Sequence, residues 1–392
     1  MLKQDVMNNS QKQLLDLVKL AIHPEIEIPE SLKVDTIDWK EVLEEARKQS
    51  LMGVAFVGFK IWSALDYVKK SGATIDKRLL TQWAGTCEKI REDNLLLNKR
   101  TAQVCKNFAK EGFRTSVMKG QGNALLYGEN LSLMRSPGDI DVWVEGGFEK
   151  VYGYVQKVAP TDVVNEKEIQ FNVFSDTSVE IHYRPFIIKQ PFKNRILQTF
   201  LESKAEACYN NHVKLKAKDG NDEDIWVDAV ITTIPFNLVQ QMAHIKLHLF
   251  TGGIGLRQVM DYYYQLVHVE SSLLSQEKKE IVEVVKSLGL ERLAKALMWI
   301  LVEFFQLPQV CLLWKPCKKD GEYLLDKFLR TGSFEQDDKS KNRKIQRETF
   351  SSFYNIQKQN LKLLRFDRWD WFWGSLWRIY HFAWRKARGF RH

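Results

Sequence analysis

The 392-residue sequence is long enough for two or three domains with a sizeable core, and its 44% hydrophobic and 27% charged residues are ordinary for a globular protein. The first 20 residues are charged and lack the apolar stretch of a secretory signal, and no window holds the roughly 18 uncharged apolar residues of a membrane span. The five cysteines are scattered without a Cys-x-x-Cys pair, which argues against a zinc ribbon or a disulfide scaffold and favours reduced thiols in the cytoplasm.

The net charge of +9 is concentrated in one segment, because residues 362–392 hold eight Lys and Arg against two Asp. The rest of the chain is only weakly basic. This distribution does not require a basic nucleic-acid-binding surface, so we expect no stable complex with nucleic acid.

Residues 1–74 are predicted to form a helical region that packs on the domain after it. Leucines repeat at helical spacing in Gln13–Ile22, and Trp39–Ser50 repeats the pattern with Asp38 placed to cap it. Met52–Leu65 is a further apolar helix. We interpret the region as support for its neighbour rather than as a separate binding module.

Residues 75–234 are predicted to form a small mixed sheet with helices on one side. A long amphipathic helix over Ile75–Glu111 stops at Gly112, a residue type that commonly ends helices. Strands and helices then alternate before two hairpins, in the order Phe113–Met118, Ala124–Tyr127, Ile140–Val144, Phe148–Val158, Ile169–Phe174 with Val179–Tyr183, and Val213–Lys218 with Ile225–Val230.

Residues 235–360 return to a helical pattern, interrupted by the charged stretch Phe334–Glu348, which is predicted to be a surface loop or linker. The predicted helices are Asn237–Leu249, Leu256–Val267, Gln276–Leu288, Leu290–Phe305 and Gly321–Leu329.

Residues 361–392 are predicted to form a basic, Trp-rich amphipathic tail. From Leu364 to His392, large apolar residues recur at helical spacing with Arg and Lys between them: Trp369, Phe372, Trp373, Leu376, Tyr380 and Trp384. Three alternatives stay open for this stripe. It packs on the helical domain, it makes a peripheral contact with an anionic membrane surface or a protein partner, or it binds nucleic acid. Internal packing is the commonest explanation of such a stripe.

Two aspartates, Asp139 and Asp141, carry the main chemical signal of the sequence. They alternate with Ile140 and Val142, and a strand has a period of two, so the carboxylates share one face and the aliphatic side chains the other. Neighbouring carboxylates repel each other and cost desolvation, which a divalent cation between them offsets. The alternative is a solvated polar strand edge, and the surrounding segments argue against it.

Those segments lie on both sides of the aspartates. Upstream, a predicted strand ends in the turn Lys119-Gly120-Gln121-Gly122, and Pro137-Gly138 supplies the turn into the aspartate strand. Downstream, Glu180 and His182 share one face of a further predicted strand.

The order of these segments resembles a known family. A Lys-Gly turn, an Arg at 135, Gly-Asp-Ile-Asp-Val at 138–142 and Glu-Ile-His at 180–182 are similar to the uncharacterised nucleotidyltransferases, which are common in bacterial genomes and belong to the DNA-polymerase-β-like superfamily. The resemblance covers roughly residues 39–270. It implies an α/β (α+β) fold, with a small mixed-sheet palm flanked by N-terminal and C-terminal helical regions.

The resemblance also implies a reaction, in which an NTP such as ATP gives its NMP to an acceptor and releases pyrophosphate with the help of two Mg²⁺ ions, or Mn²⁺ in their place. Asp139, Asp141 and Glu180 are then the catalytic metal ligands. The implied nucleotide-binding residues, which supply positive charge or close backbone approach, are Lys119, Gly120, Gly122, Arg135 and Gly138. The Lys-Gly turn lies farther from the first aspartate than the Gly-Ser turn does in the wider superfamily. The uncharacterised nucleotidyltransferases that the chain resembles share this longer spacing.

A second group of candidates would line the base or acceptor pocket or orient the metal ligands: His182, His244, His248, Arg257 and Asp261. His244 and His248 share a helical face, but the residues between them lack the Glu of a zinc-protease motif. The alternatives are a hydrogen-bonded buried histidine at 182, and an interhelix salt-bridge cluster for the other four. Arg135 likewise has the alternative of a salt bridge that holds its loop.

We therefore predict a cytoplasmic, Mg²⁺-dependent nucleotidyltransferase whose unidentified acceptor is a small molecule or a protein rather than a long nucleic acid. Two alternatives remain open. One is a toxin-like transferase that modifies tRNA or a protein, and the other is a non-catalytic scaffold that docks a partner or membrane through its tail. The intact trio of carboxylates argues against the scaffold, because an inactive palm has no reason to keep that electrostatic strain.

Overall fold

The computed structural model describes residues 7–33, 37–71, 75–251, 253–332, 366 and 370–388. The protein has a mixed α/β fold in which two small sheets lie between N-terminal and C-terminal helices, as predicted. The predicted loop over Phe334–Glu348 lies outside the described residues. Among the helices in the described part of the chain, none is long and apolar enough to cross a membrane.

The N-terminal part of the chain is helical where the apolar spacing predicts it. Asp38 caps the second helix by accepting a hydrogen bond from the backbone N–H of Glu41 (3.1 Å). The helices before the first strand are α1 (Asn9–Ile22), α2 (Trp39–Lys48), α3 (Met52–Ser63), α4 (Asp66–Ser71) and α5 (Lys77–Lys110).

The main sheet has four strands in the order β1-β2-β4-β3. The central pair β2 and β4 is parallel, and the two outer pairings are antiparallel. The strands are β1 (Thr115–Met118), β2 (Ile140–Val144), β3 (Glu168–Gln170) and β4 (Val179–His182). A separate antiparallel hairpin of β5 (His212–Lys218) and β6 (Asp224–Val230) packs on α5.

Five short or medium helices connect these strands: α6 (Gly120–Leu125), α7 (Glu129–Ser132), α8 (Gly147–Val158), α9 (Pro191–Ser203) and α10 (Ala205–Tyr209). The strand β3 is shorter than the predicted Ile169–Phe174, and it begins one residue earlier, at Glu168. The predicted hairpin with β4 is nevertheless present.

The two faces of the main sheet differ in chemistry, as the alternation of residues requires. Ile140, Val142 and Val144 point into a hydrophobic core shared with α5 and α8. The opposite face carries Asp141, followed by Trp143, which stacks on Phe236 at the start of the C-terminal helices with ring centroids 5.3 Å apart. The carboxylate face of the sheet is therefore turned towards those helices.

The C-terminal helices and the N-terminal helices share one hydrophobic core. Helix α1 packs on both α3 and α15, and a ring nitrogen of His23 bonds to the carbonyl of Phe305 (3.0 Å). The N-terminal helices were expected to pack on the palm, and α3 does contact α5 there, while α1 also lies against α15. The C-terminal helices are α11 (Ile234–Thr251), α12 (Leu256–Val267), α13 (Val269–Ser272), α14 (Ser275–Ser287), α15 (Glu291–Phe305) and α16 (Lys318–Thr331).

Helix α17 (Asp370–Ala387) forms most of the described part of the basic tail, and it lies against the palm. The Trp377 indole donates to Glu166 (3.2 Å), His381 Nε2 lies 2.8 Å from the same carboxylate, and Trp384 contacts the ring of Phe148. These contacts match the alternative in which the tail packs internally, although the tail packs on the palm and not on the helical domain. The packed face also differs from the predicted stripe, since Leu376 and Tyr380 are exposed.

Candidate active site

The register of the central strands places two carboxylates side by side. In the parallel pair of β2 and β4, Asp141 lies opposite Glu180, so their side chains project from the same face of neighbouring strands. His182 follows two residues later on that face. One ligand atom from each of these three side chains lies within 4.8 Å of the others. The predicted spacing on two separate segments thus produces one compact group.

The imidazole of His182 lies at the centre of this group and is fully buried. Its Nε2 is 2.8 Å from Asp141 Oδ1, 3.3 Å from Glu168 Oε2 and 3.8 Å from Glu180 Oε2. Its Nδ1 has no hydrogen-bond partner among the described residues. His182 Nε2 thus bonds to Asp141 and lies close to two further carboxylates, a placement that suits the orienting role predicted as one of its alternatives.

Lys119 approaches the same group from the turn after β1. Its Nζ donates to Asp141 Oδ1 at 2.8 Å. The turn is tight, with φ of 48° at Lys119 and 22° at Gly120. A Cβ on Gly120 would lie 3.3 Å from the carbonyl oxygen of Asp139, so the glycine lets the two turns approach each other.

The charges in this group hold one another in their ionised forms. Burial raises the pKa of Asp141, but the Lys119 charge and the His182 hydrogen bond oppose it and leave the pKa well below its usual range. Burial likewise raises the pKa of Glu180, but the nearby His182 and the Lys119 charge together outweigh it, so the net direction is down. Burial lowers the pKa of Lys119, but the charges of Asp141 and Asp139 bring it above its usual value.

A cavity of about 360 Å³ opens over the carboxylates, between the sheet and helices α11 and α12. Eleven predicted site residues line it: Lys119, Gly120, Arg135, Gly138, Asp139, Asp141, Glu180, His244, His248, Arg257 and Asp261. Two do not, Gly122 and His182. A Cβ on Gly122 would meet the backbone of Val117 and the side chain of Ile231, so the space beside this glycine belongs to the protein core.

Arg135 and Asp261 form a buried ion pair across the cavity wall. The guanidinium donates twice to the carboxylate, at 2.7 and 2.8 Å, and the Tyr127 hydroxyl donates to it as well (2.7 Å). Burial raises the pKa of Asp261, and the charge and hydrogen bond of Arg135 more than reverse this effect. This geometry favours the salt-bridge alternative for Arg135, because both of its bidentate contacts are already used.

The loop between Arg135 and Asp139 is fixed from two further directions. Arg257 donates to the carbonyl of Ser136 (3.2 Å), while the Ser136 hydroxyl donates to the carbonyl of Ser50 (2.7 Å). Gly53 at the start of α3 packs so closely that a Cβ there would lie 2.3 Å from the Met134 carbonyl oxygen. The N-terminal helices thus position the segment that carries the aspartates.

His244 and His248 form part of the opposite wall, on α11. Their Nε2 atoms are 2.9 Å apart, so one ring donates and the other accepts. Burial, the Lys119 charge and the neighbouring His248 hold the pKa of His244 well below its usual value. His244 is therefore neutral and adds polarity to the wall without adding charge.

Comparison with known sequences identifies the family. Residues 35–306 match the family described as uncharacterised nucleotidyltransferase. The chain belongs to this family. No curated protein matches the chain. A solved structure, the antigenic nucleotidyltransferase-like protein from Paracoccidioides brasiliensis, is similar with 11% identity and a TM-score of 0.27, covering 58% of this chain and 96% of that chain.

The predicted family is thereby confirmed.

The sequence prediction missed two charged residues that line the cavity, Lys167 and Glu168. Lys167 donates to Glu168, and Glu168 lies opposite His182 in the β3–β4 ladder. Burial and the charge of Lys119 lower the pKa of Lys167 to about 8. The pairing of Glu168 with His182 depends on the register of the hairpin, which the predicted strand bounds do not give.

The side chains of the candidate site fit a divalent cation. Asp141 and Glu180 offer carboxylate oxygens within 4.8 Å of each other, and Asp139 lines the same cavity. Oxygen donors suit Mg²⁺ and Mn²⁺, and an imidazole nitrogen nearby is more typical of Mn²⁺ than of Mg²⁺. The Lys119 ammonium on Asp141 shows that this carboxylate already attracts a cation.

Proposed function

We propose that this protein is a Mg²⁺-dependent nucleotidyltransferase that moves an NMP from an NTP to an acceptor hydroxyl. The observation that carries the proposal is the pair Asp141 and Glu180, set side by side by the β2–β4 register beneath a cavity that Asp139 and Lys119 also line. Membership of the nucleotidyltransferase family supports the reaction class.

Asp139, Asp141 and Glu180 would hold two ions, as the resemblance implies, and Mn²⁺ would also suit the donors. The bound metal would neutralise phosphate charge and lower the pKa of the acceptor hydroxyl. Burial raises the pKa of Glu180, but His182 and Lys119 together bring it below its usual value, which favours the ionised carboxylate as a metal ligand.

The size and charge of the cavity suit the substrate. A volume of about 360 Å³ lies within the range of small-molecule pockets. Lys119 and Lys167 present ammonium groups beside the carboxylates, where the triphosphate would lie, and His244 and His248 line the opposite wall, where a base or acceptor would contact them. Gly120 and Gly138 lie at the cavity edge, where close backbone approach is allowed.

In the reaction, the acceptor oxygen forms a bond to the α-phosphorus as the bond to pyrophosphate breaks, and the acceptor proton passes to solvent. The weakly basic surface outside residues 362–392 favours a small molecule or a protein as acceptor over a long nucleic acid. All five cysteines are free thiols. This absence of disulfides supports a cytoplasmic location.

The test is transfer of label from each α-³²P-labelled NTP into extracts of cells that carry the protein. We expect label in one product class, together with pyrophosphate release, and neither with the Asp139→Asn/Asp141→Asn variant. The size of the product separates a small molecule from a protein or a tRNA. Equal labelling by wild type and variant would refute the proposed reaction at this site.

A further inference from the structure

Lys119 contacts one of the carboxylates that a metal ion would need. Its Nζ lies 2.8 Å from Asp141 Oδ1, and this carboxylate belongs to the group whose ligand atoms converge within 4.8 Å. The Asp141 side chain is only 2% exposed, so little room remains for a second cation on the same oxygen. An ammonium and a divalent cation therefore compete for Asp141.

The backbone at Lys119 shows that the ammonium is held there at a conformational cost. The residue has φ 48° and ψ −132°, a region that favours glycine because it has no Cβ. Glycine follows directly at position 120, so the strained residue is not the glycine but the lysine beside it. A non-glycine residue strained at a ligand cavity is typical of a functional position.

Lys119 would also lie within reach of the phosphates of the proposed nucleotide. It lines the cavity in which the proposed triphosphate lies, and a lysine ammonium on a flexible four-carbon stem can move between anions without a change of backbone.

We propose that Lys119 is an internal counter-ion, which holds Asp141 while the metal is absent and transfers to the nucleotide phosphates when metal and nucleotide bind. This inference rests on the proposed function and adds its regulation. Lys119 weakens binding of the metal alone and strengthens binding of metal and nucleotide together. Because coupling between two ligands is reciprocal, each ligand raises the affinity for the other.

The first experiment measures binding of Mn²⁺ alone, by electron paramagnetic resonance of the free ion. We expect Lys119→Met to bind Mn²⁺ about tenfold tighter than wild type, within the usual range of coupling between sites. Lys119→Gly should show the same gain in Mn²⁺ affinity. Glycine readily adopts the backbone conformation at position 119, so this variant controls for a folding defect in Lys119→Met. Lys119→Arg keeps the charge and should bind Mn²⁺ as weakly as wild type.

Lys167→Met is the matched comparison. It removes one ammonium from the same cavity, but its partner Glu168 lies outside the converging group of Asp141, Glu180 and His182. We expect a clearly smaller gain in Mn²⁺ affinity than for Lys119→Met. Equal gains would show a general effect of net charge and would overturn the assignment of Lys119 as the competing cation. Mn²⁺ binding that is unchanged, weaker or absent in both Lys119→Met and Lys119→Gly would overturn it too.

The second experiment separates this inference from the proposed function. Mn²⁺ affinity is measured again with a saturating non-hydrolysable NTP analogue, of the base that binds wild type. We expect the nucleotide to tighten Mn²⁺ binding about tenfold in wild type and much less in Lys119→Met. If no nucleotide bound, the proposed function would be contradicted. The results with Mn²⁺ alone would still decide whether Lys119 and the metal compete for Asp141. Equal tightening in both proteins would overturn the transfer of Lys119 to phosphate.

Discussion

Two ion pairs line the same cavity and differ in almost every physical respect. Arg135 and Asp261 are each 4% exposed in their side chains, bidentate, and joined by the Tyr127 hydroxyl. Lys119 and Asp141 meet through one contact, and the Lys119 side chain is 18% exposed on the cavity side. The first pair is closed to ligands, whereas the second can exchange its cation. We therefore expect the first pair to be structural, and we propose that the second takes part in the chemistry of the site.

The difference follows from the residue types. The planar guanidinium matches both oxygens of a carboxylate, and its two hydrogen bonds make the Arg135 pair specific in geometry. The lysine ammonium is a point charge that any anion can attract. The loop from Arg135 to Asp139 connects the two pairs, so the Arg135 pair at one end helps to set the position of Asp141 near the other.

The largest effect is expected from removal of the Arg135 charge. Arg135→Met leaves Asp261 buried without its cation, which typically costs about 3–5 kcal/mol of unfolding free energy. Urea denaturation followed by circular dichroism measures the loss. Lys119→Met is the control, and it should cost less, because Asp141 keeps its contact with His182 and the Lys119 side chain is more exposed than that of Arg135. Equal losses in the two variants would remove the distinction between the pairs.

Asp141→Asn should have little effect on stability and a large effect on activity, the reverse of Arg135→Met. The fold should survive, because an amide can keep hydrogen bonds to its neighbours, while nucleotidyl transfer should fall at least about hundredfold, or about 2.7 kcal/mol of transition-state stabilisation. Label transfer and thermal melting of the same preparation test both statements. A variant that keeps its activity would show that Asp141 is not a ligand in the reaction.

Stability at acid pH should report the structural pair. The pKa of Asp261 in the folded protein lies below its unfolded value, so its contribution is present above the unfolded pKa of about 3.9 and is lost as pH falls through the folded pKa. The difference in unfolding free energy between wild type and Asp261→Asn should therefore narrow in acid, by at most about 1.4 kcal/mol per pH unit. Urea melts from pH 6 to pH 2.5 measure the gap. A gap independent of pH would contradict the assigned role.

The smallest effect is expected at the tail, where His381 meets Glu166 with both side chains 22% exposed. Solvent screens such a pair, so His381→Ala should cost no more than about 1 kcal/mol. Glu166 directly precedes Lys167 and Glu168, which line the cavity. The affinity for NTP should therefore change only slightly. A loss as large as that of Arg135→Met would place the tail among the elements that hold the site.

Much of the site could be predicted because its signal is local. The period of two in Ile140–Val144 gave the strand bounds that the structure has, and it separated the faces that hold Asp141 and Val142. The register of β2 with β4 then brought Glu180 beside Asp141, as the predicted carboxylate trio requires. Asp139, one residue before β2, lines the same cavity.

The missed features depend on contacts between distant segments. Arg135 and Asp261 were both candidates, but no local pattern pairs residues 126 positions apart. Glu168 was left out of the predicted strand because a charged residue at a strand end does not continue an apolar run. For the tail, Trp377 and His381 face the palm while Leu376 and Tyr380 are exposed, since the partner surface selects which face of an aromatic helix packs.

The most direct test of the central claim is calorimetric titration of each of the four NTPs into wild type and Asp139→Asn/Asp141→Asn, with Mg²⁺ or with EDTA. We predict that at least one NTP binds wild type in Mg²⁺, and that this binding is lost in EDTA and in the double variant. Binding that survives the double substitution, or no binding of any NTP to wild type, would contradict a metal-dependent nucleotidyl transfer at these carboxylates.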